Sequence, residues 1–373
     1  MKNITIKIIF CSILALMISA CSKDDVTPTP EQDKPYVPAT AKPGRVVVAY
    51  VTYYGSRLPN PQICTHINYA FGEIYVSGGK YKGLKLQGSK SRFESVVALK
   101  KQNPNLKVLL SITNTVTNSD NKKGEGFSVM VKTEENRKKF AQDCLNFCKE
   151  EGIDGIDINW EFPGLAWSGQ AADVSSDTQN HVLMMQQLRA TLGDKYLLTY
   201  AGYCMDKKIA SGGGYRYIDI KALDNVVDYV NIMTYDLDEG KQPHNAIRAS
   251  GAYWDIYRTH REYIRAGVSP EKMVIGIPFY GRIAFSGSPN AYSYKTIRTL
   301  GEGYTIENWD NALQLPYVTK NGEVYCYYDN AKSIEIKTKW VLDNGLLGVM
   351  YWENDQDDYT FTLSKAAWDG VMR

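Results

Sequence analysis

Asp157, Asn159 and Glu161 stand at alternate positions in an otherwise apolar run, Asp154-Gly155-Ile156-Asp157-Ile158-Asn159-Trp160-Glu161. A strand turns successive side chains to opposite faces, so these three groups share one face while Ile156, Ile158 and Trp160 share the other. At roughly 3.3 Å per residue, neighbours in the polar row lie about 6–7 Å apart. Burying such a row is costly unless its members are hydrogen-bonded or put to use. One reading is a satisfied polar cluster in a core. The other is a general acid, Glu161, held at the carboxyl end of a strand with partners behind it.

The elements that must hold this row come from the pattern around it. Short β-rich apolar runs fall at 46–51, 65–71, 107–112, 155–160, 196–202, 228–233, 273–279 and 347–352. Helical stretches at 134–151, 179–192, 253–266 and 332–344 lie between them, the second carrying Val182, Met185 and Leu188 at helical spacing. Eight strands alternating with helices predict a parallel sheet closed into a (β/α)8 TIM barrel, with a doubly wound open sheet as the alternative. No glycine-rich turn follows the first strand, which counts against the open sheet. Barrel enzymes carry their chemistry at the carboxyl ends of the strands. Glu161 ends the fourth strand, Tyr235 and Asp236 the sixth, Tyr280 and Arg282 follow the seventh, and Trp352 ends the eighth. From Arg282 to about Tyr327 the chain is turn-rich and aromatic, too long for a simple connection. A small α+β insertion at about 283–327, forming one wall of a cleft, is the expected structure.

The whole chain bounds the function further. Lys2 and Lys7 precede an apolar stretch ending in Ile18-Ser19-Ala20-Cys21, which predicts a signal peptide over residues 1–20, too short to span a bilayer. Cys21 after Ser-Ala resembles a bacterial lipobox, so cleavage before Cys21 and lipidation of its thiol are expected. Residues 21–43 then read as a disordered tether rich in Thr and Pro, and residues 44–373 as the folded domain. The implied location is the bacterial cell envelope, on the outer membrane and facing its surface, with contact to the membrane through the anchor only. A net charge of +2 points away from nucleic acid. Cys64, Cys144, Cys148, Cys204 and Cys326 include no CxxC pair and have no histidine cluster beside them, so neither a metal site nor a cofactor is expected. The 27 Tyr and 7 Trp exceed what a core requires. Aromatic faces at strand ends suit sugar rings, although tyrosines buried in a large barrel account for many of them.

Several of these segments resemble one family, the family 18 glycoside hydrolases, or chitinase-like group. Asp154 to Glu161 match its DGxDxDWE signature at all positions but one. Thr65-His66-Ile67-Asn68-Tyr69-Ala70-Phe71 resembles its second-strand motif, Met233-Thr234-Tyr235-Asp236 its MTYD element, and Gly276-Ile277-Pro278-Phe279-Tyr280-Gly281-Arg282 its GIPFYGR element. Gly348-Val349-Met350-Tyr351-Trp352-Glu353 resembles the closing strand. The resemblance implies retaining, substrate-assisted cleavage of β-linked N-acetylglucosamine, an exception to the two-carboxylate scheme of most glycosidases. Glu161 would serve as acid and then base, with Asp157, Asn159 and Tyr235 in the catalytic group. Asp236, Trp352, Tyr280, Arg282, Phe71 and Tyr50 would bind substrate, Trp352 as the floor beneath the reacting sugar. The expected partner is an N-acetylglucosamine polysaccharide or oligosaccharide, bound by a monomer.

The chain departs from the family in three places. Asn159 stands where the family has an aspartate, so it cannot compensate positive charge on an oxazolinium intermediate, and slow chemistry is expected. Thr113 and Asn114 replace small residues of the third strand and are expected to crowd the backbone there. The insertion is shorter than in deep-cleft relatives, which implies a shallower groove. Chitin-type hydrolysis leads among the expected functions. An endo-β-N-acetylglucosaminidase acting on N-glycan cores, or a surface glycan-binding protein of low activity, are the alternatives.

Overall fold

The computed structural model describes residues 35–114, 124–166, 171–204, 217–249 and 254–373. The expected signal peptide, Cys21 and most of the expected tether lie outside the described residues. Pro38–Arg373 form one compact unit. The chain is docked before position 43: Trp368 Nε1 donates to the Ala39 carbonyl at 2.8 Å, and the Ala39 amide donates to Asp369. The tether expected to reach Pro43 therefore ends earlier than composition alone indicates.

Eight parallel strands close into the expected barrel: Val46–Thr52, His66–Ser77, Lys107–Thr113, Gly155–Asn159, Leu197–Gly202, Tyr229–Ile232, Met273–Pro278 and Gly348–Trp352. Closure is explicit, because the first strand pairs in parallel with the eighth (Val46 opposite Gly348) and with the second (Tyr50 opposite Asn68). An open sheet is thereby excluded. Period-2 alternation sets the two layers. On the first strand Val46, Val48 and Tyr50 point into the barrel, where they pack with Tyr229, Val274 and Met350. Val47, Ala49 and Val51 point outward into the larger core under the helices. On the fourth strand Ile156 and Ile158 join that outer core, which leaves Asp157 and Asn159 on the inner face. Glycines permit the tight contacts: a Cβ on Gly348 would stand 1.9 Å from the Val46 carbonyl oxygen, so only glycine fits where the barrel closes.

The helices follow their sequence signals. Glu134–Glu151 starts at Thr133, whose hydroxyl accepts the Asn136 amide, and stops at Gly152 in a left-handed conformation. Asp177–Leu192 buries Val182, Met185 and Leu188 as its spacing predicts. The second strand runs further than expected and turns through Gly78 and Gly79, both at positive φ, into an antiparallel partner, Lys80–Leu86. A Gly-Gly pair between β-rich runs is a hairpin signal, and here it adds a strand beyond the eight of the barrel.

After the seventh strand, Tyr280–Arg282 pairs antiparallel with Ala291–Ser293. A short helix, Tyr294–Ile297, follows. Then comes a three-stranded antiparallel sheet of Tyr304–Asp310, Leu315–Lys320 and Glu323–Tyr327. Behind it Lys337, on the helix Ala331–Asp343, makes a buried ion pair with Asp329 at 2.5 Å, and Ser333 and Asn245 also donate to that carboxylate. Removing one partner of so enclosed a pair leaves an uncompensated charge, which is why it fixes the insertion's exit to the barrel.

Candidate active site

Asp157 lies at the centre of the inner face, fully buried. Ser111 and Thr199 stand in register with it on the flanking strands. Their hydroxyls donate to the two carboxyl oxygens at 2.7 and 2.6 Å. Tyr50 Oη from the first strand and Asn231 Nδ2 from the sixth add bonds of 3.0 and 3.2 Å. Burial pushes the Asp157 carboxyl above its usual range, and these four donors pull against it. Ser111, Thr199 and Asn231 were not singled out from sequence. Their signal was the same as that of Asp157, a polar residue alternating with apolar ones along a barrel strand.

Asn159, one step along the face, hydrogen-bonds the side chain of Glu161. Glu161 is half-buried and lines a cavity of about 340 Å³ together with Asn159, Tyr235, Asp236, Arg282 and Trp352. Loss of hydration raises the Glu161 carboxyl above the ordinary glutamate range; the Asn159 hydrogen bond lowers it, and the negative charge of Asp236 raises it again. The net direction favours a retained proton, which a general acid needs.

Asp236 sits just past the sixth strand with φ +55°. Arg282 holds its carboxylate from two sides, Nε to Oδ1 at 2.8 Å and Nη2 to Oδ2 at 2.6 Å, and Tyr280 Oη donates to Oδ1 at 2.8 Å. Burial works to raise Asp236, but the hydrogen bonds and charge of the Arg282 guanidinium pull against it, and the group lies well below the usual aspartate range. Asp236 is thus a fixed anion. Tyr235 packs over Gly276 of the seventh strand, where a Cβ would come within 2.7 Å of the tyrosine ring. The glycine of Gly276-Ile277-Pro278 is therefore needed to seat that ring.

Trp352 forms another wall. Phe71 stacks on it with ring centroids 5.8 Å apart and planes 25° from parallel, and Tyr50 leans on it at 5.6 Å. The structure thus gathers Glu161, Asn159, Tyr235, Asp236, Tyr280, Arg282, Tyr50 and Trp352 around one cavity, with Phe71 behind the tryptophan and Asp157 beneath. Asn290 and Ala291, from the insertion expected to wall the cleft, and Gln356, from the closing loop, also line it, although none of the three stands out as a site residue in the sequence. A second hollow of about 530 Å³ meets the first at Glu161, Tyr235 and Asp236, and Phe162, Leu165, Tyr203, Trp254 and Phe285 give it an apolar wall. The crowding expected at Asn114 does not occur. Its Oδ1 accepts the Phe127 amide at 2.7 Å, beside Gly126 at positive φ, so the side chain organises that turn.

Comparison with known proteins places the chain in a family. A model of the glycosyl hydrolases family 18 matches residues 46–357. "Putative chitinase 2" of Margaritifera margaritifera is 26% identical over 344 residues, covering 84% of this chain and 70% of that protein. "Chitinase A1" of Niallia circulans is 28% identical over 308 residues, covering 69% of this chain and 42% of that one. Among solved structures, a family 18 N-acetylglucosaminidase from Paenibacillus barengoltzii superposes with a TM-score of 0.71 at 26% identity, covering 87% of this chain and 99% of that one. A closed parallel barrel, an acid at the end of its fourth strand and a match across nearly all the folded residues lead to one assignment: the chain belongs to the family 18 glycosyl hydrolases and is a glycosidase of the chitinase type.

Proposed function

We propose that the protein hydrolyses β-1,4-linked N-acetylglucosamine chains of the chitin type by substrate-assisted catalysis at Glu161. Glu161 gives its proton to the glycosidic oxygen as the C1–O bond breaks. The carbonyl oxygen of the sugar's own acetamido group bonds to C1 and closes an oxazolinium ring. A water then attacks C1 and loses its proton to the Glu161 carboxylate, the ring opens, and configuration is retained. Tyr235 and Asp236 hold the acetamido group, and Trp352 lies beneath the ring.

One observation carries the reading. The other carboxylate lining the cavity, Asp236, is already engaged by Arg282 and Tyr280, so it is poorly placed to serve as a nucleophile in its own right. A nucleophile supplied by the substrate fits that arrangement. The two hollows meeting at Glu161 suit a sugar on the polar side and a leaving group on the apolar side. Asn159 favours a second reading, a surface glycan-binding protein with little turnover, because it withholds a charge the intermediate would use.

Mass spectrometry after incubating the protein separately with chitin oligomers and an N-glycoprotein tests both. Shortened N-acetylglucosamine oligomers are the expected products. A glycoprotein trimmed to a single core N-acetylglucosamine would move the assignment to N-glycans, and binding without any product would support the second reading.

We further propose that Cys21 becomes the lipidated amino terminus of a surface lipoprotein. A fatty acid fed to the producing bacterium should label the protein and keep it in the membrane fraction. Cys21→Ser should lose both, and retention of the label would reject the anchor.

A further inference from the structure

His244 is fully buried twelve positions past the sixth strand. Its Nδ1 accepts the backbone amide of Asp236 at 3.2 Å, and its carbonyl accepts the next amide, that of Leu237, at 3.1 Å. The loop between them is thereby drawn into a closed turn whose two ends meet at the site. Its ring lies against Tyr280, with centroids 5.4 Å apart. The neighbouring Asn245, also fully buried, donates to Asp329 at 2.6 Å and so joins the ion pair with Lys337. The turn is therefore anchored to the helix behind the insertion.

Asp236 needs such support. Its φ of +55° is a left-handed conformation that residues with a side chain adopt only where the surroundings hold them there. Its amide is part-buried, where a donor left without an acceptor is costly. One atom, His244 Nδ1, answers both needs. It accepts that amide, and in doing so it fixes the backbone twist that points the carboxylate toward Tyr280 and Arg282. A ring nitrogen that accepts carries no proton, which puts the ring's hydrogen on Nε2. Among the described residues Nε2 has no hydrogen-bond partner. The separation of Nδ1 from Asp236 Oδ1, 3.6 Å, is too long for the opposite arrangement, in which a charged ring would donate to the carboxylate.

Resting on the hydrolase reading above, we propose that His244 is a positioning residue: as the Nε2–H tautomer it accepts the Asp236 amide at Nδ1, and so aims the carboxylate that holds the substrate's acetamido group. It touches no substrate itself. Its contribution belongs to orientation of the internal nucleophile, which is felt in kcat more than in binding.

The test compares His244→Leu, which removes the acceptor, with His244→Asn, whose Oδ1 sits where Nδ1 was. On an aryl chitobioside, His244→Leu should lower kcat about tenfold with KM changed less than threefold, and His244→Asn should return kcat to within about threefold of the parent. Equal losses in the two variants, or no loss in His244→Leu, would overturn the proposal. Nitrogen-15 spectra of the ring nitrogens separate its fate from that of the hydrolase reading. The chain has four histidines, and the signals missing from His244→Asn assign this one. A neutral Nε2–H ring at pH 7 supports the proposal even if the parent leaves the chitobioside uncut, a result that would sink only the hydrolase reading. A charged ring or the Nδ1–H tautomer overturns the proposal whatever the turnover.

Discussion

Glu161→Gln is expected to lower kcat by about 10⁴ on chitin oligomers and by about 10² on an aryl chitobioside, the span over which general acid catalysis typically acts. The difference comes from the leaving group. A sugar hydroxyl departs only if it is protonated in the transition state, whereas an activated phenol departs nearly unaided. What remains on the aryl substrate is the loss of the base that activates water in the second step. Gln keeps the size of Glu and can still bond Asn159, so oligomer binding should stay within a few-fold of the parent. The pH profile offers a second readout. Burial and the Asp236 charge raise the Glu161 carboxyl, and the acid must be protonated to work. Activity should therefore fall as pH rises through that raised pKa, and this alkaline limb should vanish from any residual activity of the variant. Equal turnover in variant and parent on both substrates would reject Glu161 as the acid.

Sequence carried the barrel and the middle of the site for a physical reason. Period-2 alternation assigns faces without knowledge of the fold, so Asp157 and Asn159 could be placed together on an inner face before any partner was known. Aromatic and charged residues at strand ends gave the rest of the ring: Tyr235, Asp236, Tyr280, Arg282 and Trp352. What stayed hidden depends on contacts between distant segments. Asn290 and Gln356 reach the cavity because the insertion and the closing loop fold over it, and no local pattern encodes that. Ser111 and Thr199 are ordinary strand residues until register sets them beside Asp157. His244 reads as a loop histidine, and only the closed turn brings it under Asp236. Asn114 misled in the other direction. Judged by size it should crowd the backbone, yet a glycine at positive φ makes room and the amide becomes a cap.

Asn159→Asp is expected to raise kcat by about tenfold to a hundredfold, and the reasons lie in three neighbouring groups. Removing one preorganised electrostatic contact from a transition state typically costs about 10²–10³, which sets the scale of what a restored one can return. In the parent the Asn159 hydrogen bond stabilises the charged form of Glu161 and so works against the proton the acid must keep. An aspartate in its place removes that donor and adds negative charge beside Glu161; both changes push the Glu161 pKa up. The alkaline limb should accordingly move to higher pH together with the gain in kcat. The new carboxylate would also face the positive charge developing on the oxazolinium, which asparagine cannot compensate. Asp157 limits the gain, because two carboxylates one step apart on a buried face resist ionising together. Its four donors nevertheless give the first charge a settled place. The gain belongs to the chemical step, so KM for chitin oligomers should change less than kcat. A fall in kcat, with the protein still folded and still binding oligomers, would mean that the Asn159 amide serves a mechanism other than oxazolinium formation.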